Sequence, residues 1–429
     1  MNAPINTADP VKNTTYKVVL PFYIYAAISF LISAVLLFYS ASAFSQHYFQ
    51  PHILAITHAM ALGWGTMMIL GASYQLVPVL IEANLFSNIL AYFSFILAGS
   101  GIPLLVYAFY VFDTGWPART GGILINAAIL VYLVNLGVSQ SKSKQENVQS
   151  VFVFTAACWL LLTTGAGLVL VYNFQYPLLS KDSLSYLPLH AHLGIIGWFL
   201  LMILGVGSRL IPMFLISKYV NQKLLWLIYA LINAGLMGFA ASSIFSWRSS
   251  FLLLPVVLVA AALILFGYYI YQSYKQRIRR RVDKPMQISL FSVIVIAIPL
   301  MTLILIIACS IAIGDNTRLI LTYGFTIFFG WVTSIILGMT FKTLPFIVWN
   351  KIYDEKAGLG KTPDPKELFS SRIFSAMSII YLAGFVLFTI GIVFSYIPLL
   401  TSSALLLVTA AILYNLNVFK ILHHKPTMR

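Results

Sequence analysis

Seven histidines stand in a chain of 429 residues, and five of them cluster: His47, His52 and His58 in one stretch, His190 and His192 in another. His423 and His424 belong to the polar C-terminal tail. Imidazole in an otherwise apolar environment is costly, so histidines at the ends of membrane-spanning segments point to ligation or proton chemistry. His58 and His192 open two similar segments, which predicts rings at matching depth on related helices. Such a pair could bridge one haem iron, because two axial imidazoles give a low-spin electron-transfer centre. His190 lies two residues from His192, so on a helix their side chains diverge by about 200°. One helix could then serve two centres on opposite sides. His58, His192, His190 and His52 are therefore the candidate cofactor ligands, the first three also as metal ligands. The competing reading is that these imidazoles hydrogen-bond to backbone or water near a membrane interface.

The elements that must position them are long apolar helices. The chain is 60% hydrophobic and 9% charged, against about a quarter charged in soluble domains. Twelve apolar stretches, each long enough to cross a hydrocarbon core of about 30 Å, span approximately 17–40, 52–81, 84–111, 121–138, 150–174, 188–216, 223–246, 250–272, 286–313, 317–348, 371–396 and 398–420. The expected fold class is an all-α integral membrane protein, one transmembrane domain over residues 1–429 with 1–16 as a cytoplasmic tail. Ala41-Ser42-Ala43 imitates a signal-peptidase site, but the preceding apolar stretch is about twice a normal signal-peptide core. An uncleaved helix is expected there.

The formal charge of +15 is explained by topology, not by nucleic acid. Of 26 Lys and Arg, Arg119, Lys181, Arg248 and Arg318 fall on one side, and Arg209 and Lys342 lie near helix ends. The other 20 fall on the opposite side. Basic loops stay in the cytoplasm, so both termini are expected inside, with the five clustered histidines toward the outside. The run Lys275 to Lys284 then reads as an inner-loop anchor beside anionic lipid. Cys158 and Cys309 sit mid-helix on different spans and read as small packing residues.

Three of the spans repeat one pattern. His58 to Pro78 reads HAMALGWGTMMILGASYQLVP, His192 to Pro212 reads HLGIIGWFLLMILGVGSRLIP, and Phe325 to Pro345 reads FTIFFGWVTSIILGMTFKTLP. Gly63, Gly197 and Gly330 align, as do Trp64, Trp198 and Trp331; Gly71, Gly205 and Gly338; and Pro78, Pro212 and Pro345. The spacing corresponds to four helices, so the sequence predicts three four-helix repeats, approximately 17–139, 150–272 and 286–420. The aligned glycines, eight residues apart, lie on one face and offer a smooth strip for close packing. Each closing proline is expected at a helix end, where a missing amide matters least. Gln75, Arg209 and Lys342 stand three residues before those prolines; the two basic ones read as snorkelling anchors. The loop from Lys351 to Arg372, with Gly358, Gly360, Pro363 and Pro365, reads as a linker.

The pattern resembles subunit I of the haem-copper oxidases, including the cbb3-type oxidases and nitric oxide reductases. Those proteins have twelve helices in three four-helix arcs, a histidine on the second helix and His-x-His on the tenth. The segment His190 to Pro212 looks like the cbb3-type tenth helix, in which the first histidine of His-x-His binds high-spin and the second low-spin haem. The resemblance implies a b-type haem, possible copper, a quinol or cytochrome as electron donor, and partner subunits in a bacterial-type inner membrane. The chain departs from the pattern at three points. His-x-His is on the sixth span, with Phe325 at the matching place on the tenth; the seventh span, Lys223 to Ser246, has no histidine for a second metal; and Glu82 and Asp113 fall at helix ends, leaving no carboxylate in mid-membrane. The NnrS-type haem-copper membrane proteins, associated with nitric oxide stress, are similar in having twelve helices and few histidines near helix ends.

Three functions follow as expectations. One is a haem-binding redox or electron-transfer protein without a complete binuclear site. Another is a terminal oxidase or nitric oxide reductase subunit with relocated ligands. A third is a copper or haem transporter, which need not be an oxidoreductase.

Overall fold

The computed structural model describes residues 14–81, 83–143, 147–245, 252–278, 280–312, 314–354 and 362–426. Residues 1–13 of the expected tail, Glu82, and the glycines of the expected 351–372 linker lie outside them. Among the described residues, twelve helices are long and apolar enough to cross a membrane, and there is no strand. They are α1 (Tyr16–Tyr39), α2 (Pro51–Ile81), α3 (Asn88–Val111), α4 (Trp116–Ser141), α5 (Val148–Asn173), α6 (Ser183–Leu215), α7 (Gln222–Ile244), α8 (Leu253–Lys275), α9 (Lys284–Ala312), α10 (Thr317–Tyr353), α11 (Ser371–Phe394) and α12 (Ile397–Leu422). The bundle is the fold of a multi-pass membrane protein, and its helix bounds follow the apolar spans to within a few residues.

Local chemistry places half of the twelve helix starts. Ser87, Asn147, Asn221, Asp283, Asn316 and Ser370 each accept a backbone amide near the start of the helix they precede. These caps satisfy amides that have no partner within the helix. Neighbouring helices in the chain pack side by side, and α1 closes against α12. α2 and α10 are the most buried, at 72% and 78% of their apolar windows. They meet α6 in the middle.

Two indole bonds tie these three together: Trp64 Nε1 donates to Thr333 Oγ1 at 3.0 Å and Trp198 Nε1 to Thr66 Oγ1 at 3.0 Å. Thr66 and Thr333 occupy the same aligned position, and the third residue there, Leu200, carries no hydroxyl. Inside a bilayer such interhelical bonds contribute on average about 0.6 kcal/mol each. The aligned glycines act as the sequence predicts. A methyl group on Gly71 would lie 2.6 Å from Phe22 Cβ on α1, and one on Gly205 2.5 Å from Phe152 Cβ on α5. Gly338 faces Ser289 on α9 at comparably close range.

The prolines divide. Pro78 and Pro212 fall in the last turn of their helical segments, but α10 continues beyond Pro345 for two turns, to Tyr353. The side chain of Lys342, three residues before Pro345, is bonded to Asp283 Oδ2 at 2.6 Å and lies 4.9 Å over the Phe214 ring. A fixed ion pair replaces the snorkelling anchor expected for it. Arg209 remains exposed, as an anchor would be.

Candidate functional site

Each of the three central helices changes its winding at one register. α-Helix gives way to wider π-helix over Ala59–Thr66, Leu193–Leu200 and Thr326–Val332. The residue before each switch is His58, His192 and Phe325 respectively. π-Turns shift the register of the following side chains and often mark functional sites. Periodicity in an apolar run gives no warning of them.

The structure brings together His58 and His190, not His58 and His192. The His58 and His190 rings are nearly parallel, 17° apart, with centres 6.3 Å apart. A metal lies about 2 Å from an imidazole nitrogen and the ring centre roughly 1 Å behind it, so two imidazoles across one ion have centres about 6 Å apart. The observed spacing fits one ion between the rings. The reason for the exchange is the 200° divergence within His-x-His. Only one of the two can face α2, and the packing of α6 turns His190 toward it.

Both rings are fixed from behind. His58 Nδ1 is 2.8 Å from the Leu54 carbonyl, and His190 Nδ1 is 3.1 Å from the Thr163 carbonyl. A carbonyl only accepts, so each Nδ1 carries the proton and each Nε2 keeps its lone pair. Orienting partners of this kind accompany metal-bound histidine. Phe109 packs on His58 with ring centres 4.6 Å apart. Gly167 makes room for His190: a methyl group there would lie 2.8 Å from His190 Cε1.

The two histidines share a cavity of ≈ 250 Å³. Its wall is mostly apolar, including Leu62, Leu105, Ile125, Leu160 and Phe328, and Gly122, Gly194 and Gly324 flatten parts of it. A methyl group at Gly324 would meet nothing within 4 Å, so this glycine borders open space. One polar pair in the wall is satisfied internally: Asn126 Nδ2 donates to the Gly122 and Thr164 carbonyls, and Thr164 Oγ1 donates to Asn126 Oδ1 at 3.0 Å. Two oriented imidazoles in an apolar, glycine-lined space fit a flat metal macrocycle such as haem.

His192 faces the opposite side of α6. Its Nδ1 donates to the Pro188 carbonyl at 2.8 Å, which leaves Nε2 as the acceptor for the Tyr323 hydroxyl of α10 at 3.1 Å. His52 stacks on Tyr110 at 4.6 Å and His47 lies tilted against Tyr48 at 4.2 Å; neither histidine lines the cavity. Among the described residues no group of three or more His, Cys, Asp or Glu is arranged to hold a metal ion. Cys158 and Cys309 are free thiols on separate helices. Asp182, just before α6, accepts from the Ser185 hydroxyl and amide at 2.6 and 2.8 Å, and these bonds hold its carboxyl below the usual carboxylate range.

Gly167 and the carbonyl of Thr163 are the residues that sequence reading misses. The small-residue run Thr163-Thr164-Gly165-Ala166-Gly167 on α5 is the one signal that could have found them. No known family matches the chain, and no curated protein matches it significantly.

Proposed function

We propose that this chain is a membrane haem protein in which His58 and His190 would hold one b-type haem, serving electron transfer or nitric oxide-related redox chemistry. The observation that carries the reading is the pair of facing imidazoles, each with Nδ1 held on a carbonyl and Nε2 free, at the spacing one ion requires. Haem held by two imidazoles supplies a low-spin centre that exchanges single electrons. The chain does the rest. The Leu54 and Thr163 carbonyls fix the ligand tautomers, Phe109 and Gly167 set the ring positions, and the apolar wall excludes water.

The architecture in this reading is three four-helix repeats around α2, α6 and α10. The recurrent π-segments, the recurrent glycine contacts to α1, α5 and α9, and the two matched indole bonds support it. The loop charge asymmetry supports a topology with both termini on the cytoplasmic side and the histidine pair toward the outside, and a bacterial-type inner membrane is part of the proposal. A quinol or a cytochrome is the class of electron donor this position suits. Relationship to the haem-copper oxidase superfamily is part of the proposal.

The test is a reduced-minus-oxidised optical spectrum of the purified protein beside His58→Ala and His190→Ala variants. A low-spin haem signal in the parent that is lost in both variants is the expected result. A colourless parent protein, after expression with ample haem, overturns the reading and favours a transporter.

A further inference from the structure

Arg119 lies in the first turn of α4, at the end of the bundle that carries the histidine pair. Three and seven residues further along α4, Gly122 and Asn126 line the cavity, so all three residues lie on one helix face. The Arg119 guanidinium carbon is 5.2 Å from the centres of both the Tyr172 and the Tyr176 rings. Tyr172 follows Val171, another cavity-lining residue. Two aromatic rings therefore hold the guanidinium beside the rim.

Its hydrogen bonding is incomplete. Nε and Nη2 are buried and have no hydrogen-bond partner. These two nitrogens are the donors along one edge of the guanidinium, the pair that grips a carboxylate with two parallel bonds. A buried, unsatisfied charged donor is expensive and calls for a missing acceptor. The acidic side chains described at this end are engaged elsewhere: Asp113 accepts from the Gly115 amide, Asp182 from Ser185, and Asp315 from the Ser310 hydroxyl. Arg119 is also one of the few basic residues on the side that the charge distribution leaves nearly free of them. Topology gives no reason for a cation there.

We propose that Arg119 is the anchor for a carboxylate of the cofactor: its Nε and Nη2 edge takes a haem propionate at the cavity rim. The inference rests on the haem reading above. Tyr172 and Tyr176 keep the guanidinium aimed while it lacks its anion, and the acidic edge of the macrocycle faces the outer end of the bundle.

The experiment compares haem b with its dimethyl ester, in which both propionates are neutral, loaded into the full-length apoprotein. Dissociation is followed by transfer to excess apomyoglobin. The parent protein is expected to release the ester roughly 10- to 100-fold faster than haem, the scale of one charge-assisted carboxylate grip. Arg119→Gln should release both at the faster rate, and Arg119→Lys should fall between. Equal release of haem and ester by the parent overturns the proposal, and so does full discrimination by Arg119→Gln. If Arg119→Gln fails to fold, the parent's two rates and those of Arg119→Lys decide. A parent that takes up neither compound overturns the haem reading itself, a separate result from indifference to the ester.

Discussion

The gap between α2 and α6 and the gap between α10 and α2 are walled by the same repeated segment, yet they are furnished differently. In the first, His58 and His190 stand apart with a cavity between them. In the second, Phe325 takes the aligned place of His58 and is covered by other phenyl rings. Phe388, Phe329, Phe385 and Phe44 have ring centres 4.5, 4.9, 6.0 and 6.1 Å from it. The gap between α6 and α10 is intermediate, since His192 is present but its Nε2 is bonded to Tyr323. One position thus has three outcomes. What separates them is the neighbours: a phenyl ring is satisfied by other rings, whereas an imidazole retains a nitrogen that needs a donor or a metal.

The largest effect should come from separating the two histidines of His-x-His. His190→Ala is expected to abolish the low-spin haem spectrum, while His192→Ala leaves it in place with haem content near that of the parent. If His192→Ala were the colourless variant, the assignment of the pair would be wrong.

Next comes the floor under His190. Gly167→Val forces the imidazole off its position, because even a first added carbon lies 2.8 Å from Cε1. The expected outcome is a shift of the spectrum from six- to five-coordinate haem, with the helical circular dichroism unchanged. Retained six-coordination would show that the ring has room to move.

Phe325→His tests whether the phenyl-lined gap could be made to bind. It is expected to gain no second haem, because the surrounding phenyl rings offer an imidazole no partner. It should lose about 1–3 kcal/mol of stability from a buried polar group, read as a lower midpoint of thermal unfolding in detergent. A second haem per chain by pyridine haemochrome assay would contradict this account of the comparison.

The smallest effect is assigned to Tyr323→Phe. It removes one interhelical hydrogen bond worth about 0.6 kcal/mol in a bilayer and should leave the haem spectrum unaltered. A changed midpoint potential would instead couple the α6–α10 gap to the α2–α6 centre.

Much of this was legible along the chain. Apolar length alone dictates twelve crossing helices, because backbone amides in lipid must be satisfied within the helix. The aligned glycines, tryptophans and prolines single out α2, α6 and α10 as related, and the costly histidines single out His58, His190 and His192. The glycine strip is legible as a packing surface, since residue size is a property of sequence.

The tertiary structure decided the rest. Which of His190 and His192 faces His58 depends on the rotation of α6 about its axis, and π-winding beginning at Leu193 alters that rotation without altering composition. The proton position on each imidazole is set by carbonyls of Leu54 and Thr163, the second of which comes from another helix. What furnishes a gap depends on side chains from three or more helices meeting there, as at Phe325. Lys342 is an ion pair and not an anchor because Asp283, 59 residues earlier, is folded against it. Helix existence is a local free-energy question that sequence answers. Facing, tautomer and cavity are sums over distant neighbours, and only the packed chain brings those neighbours together.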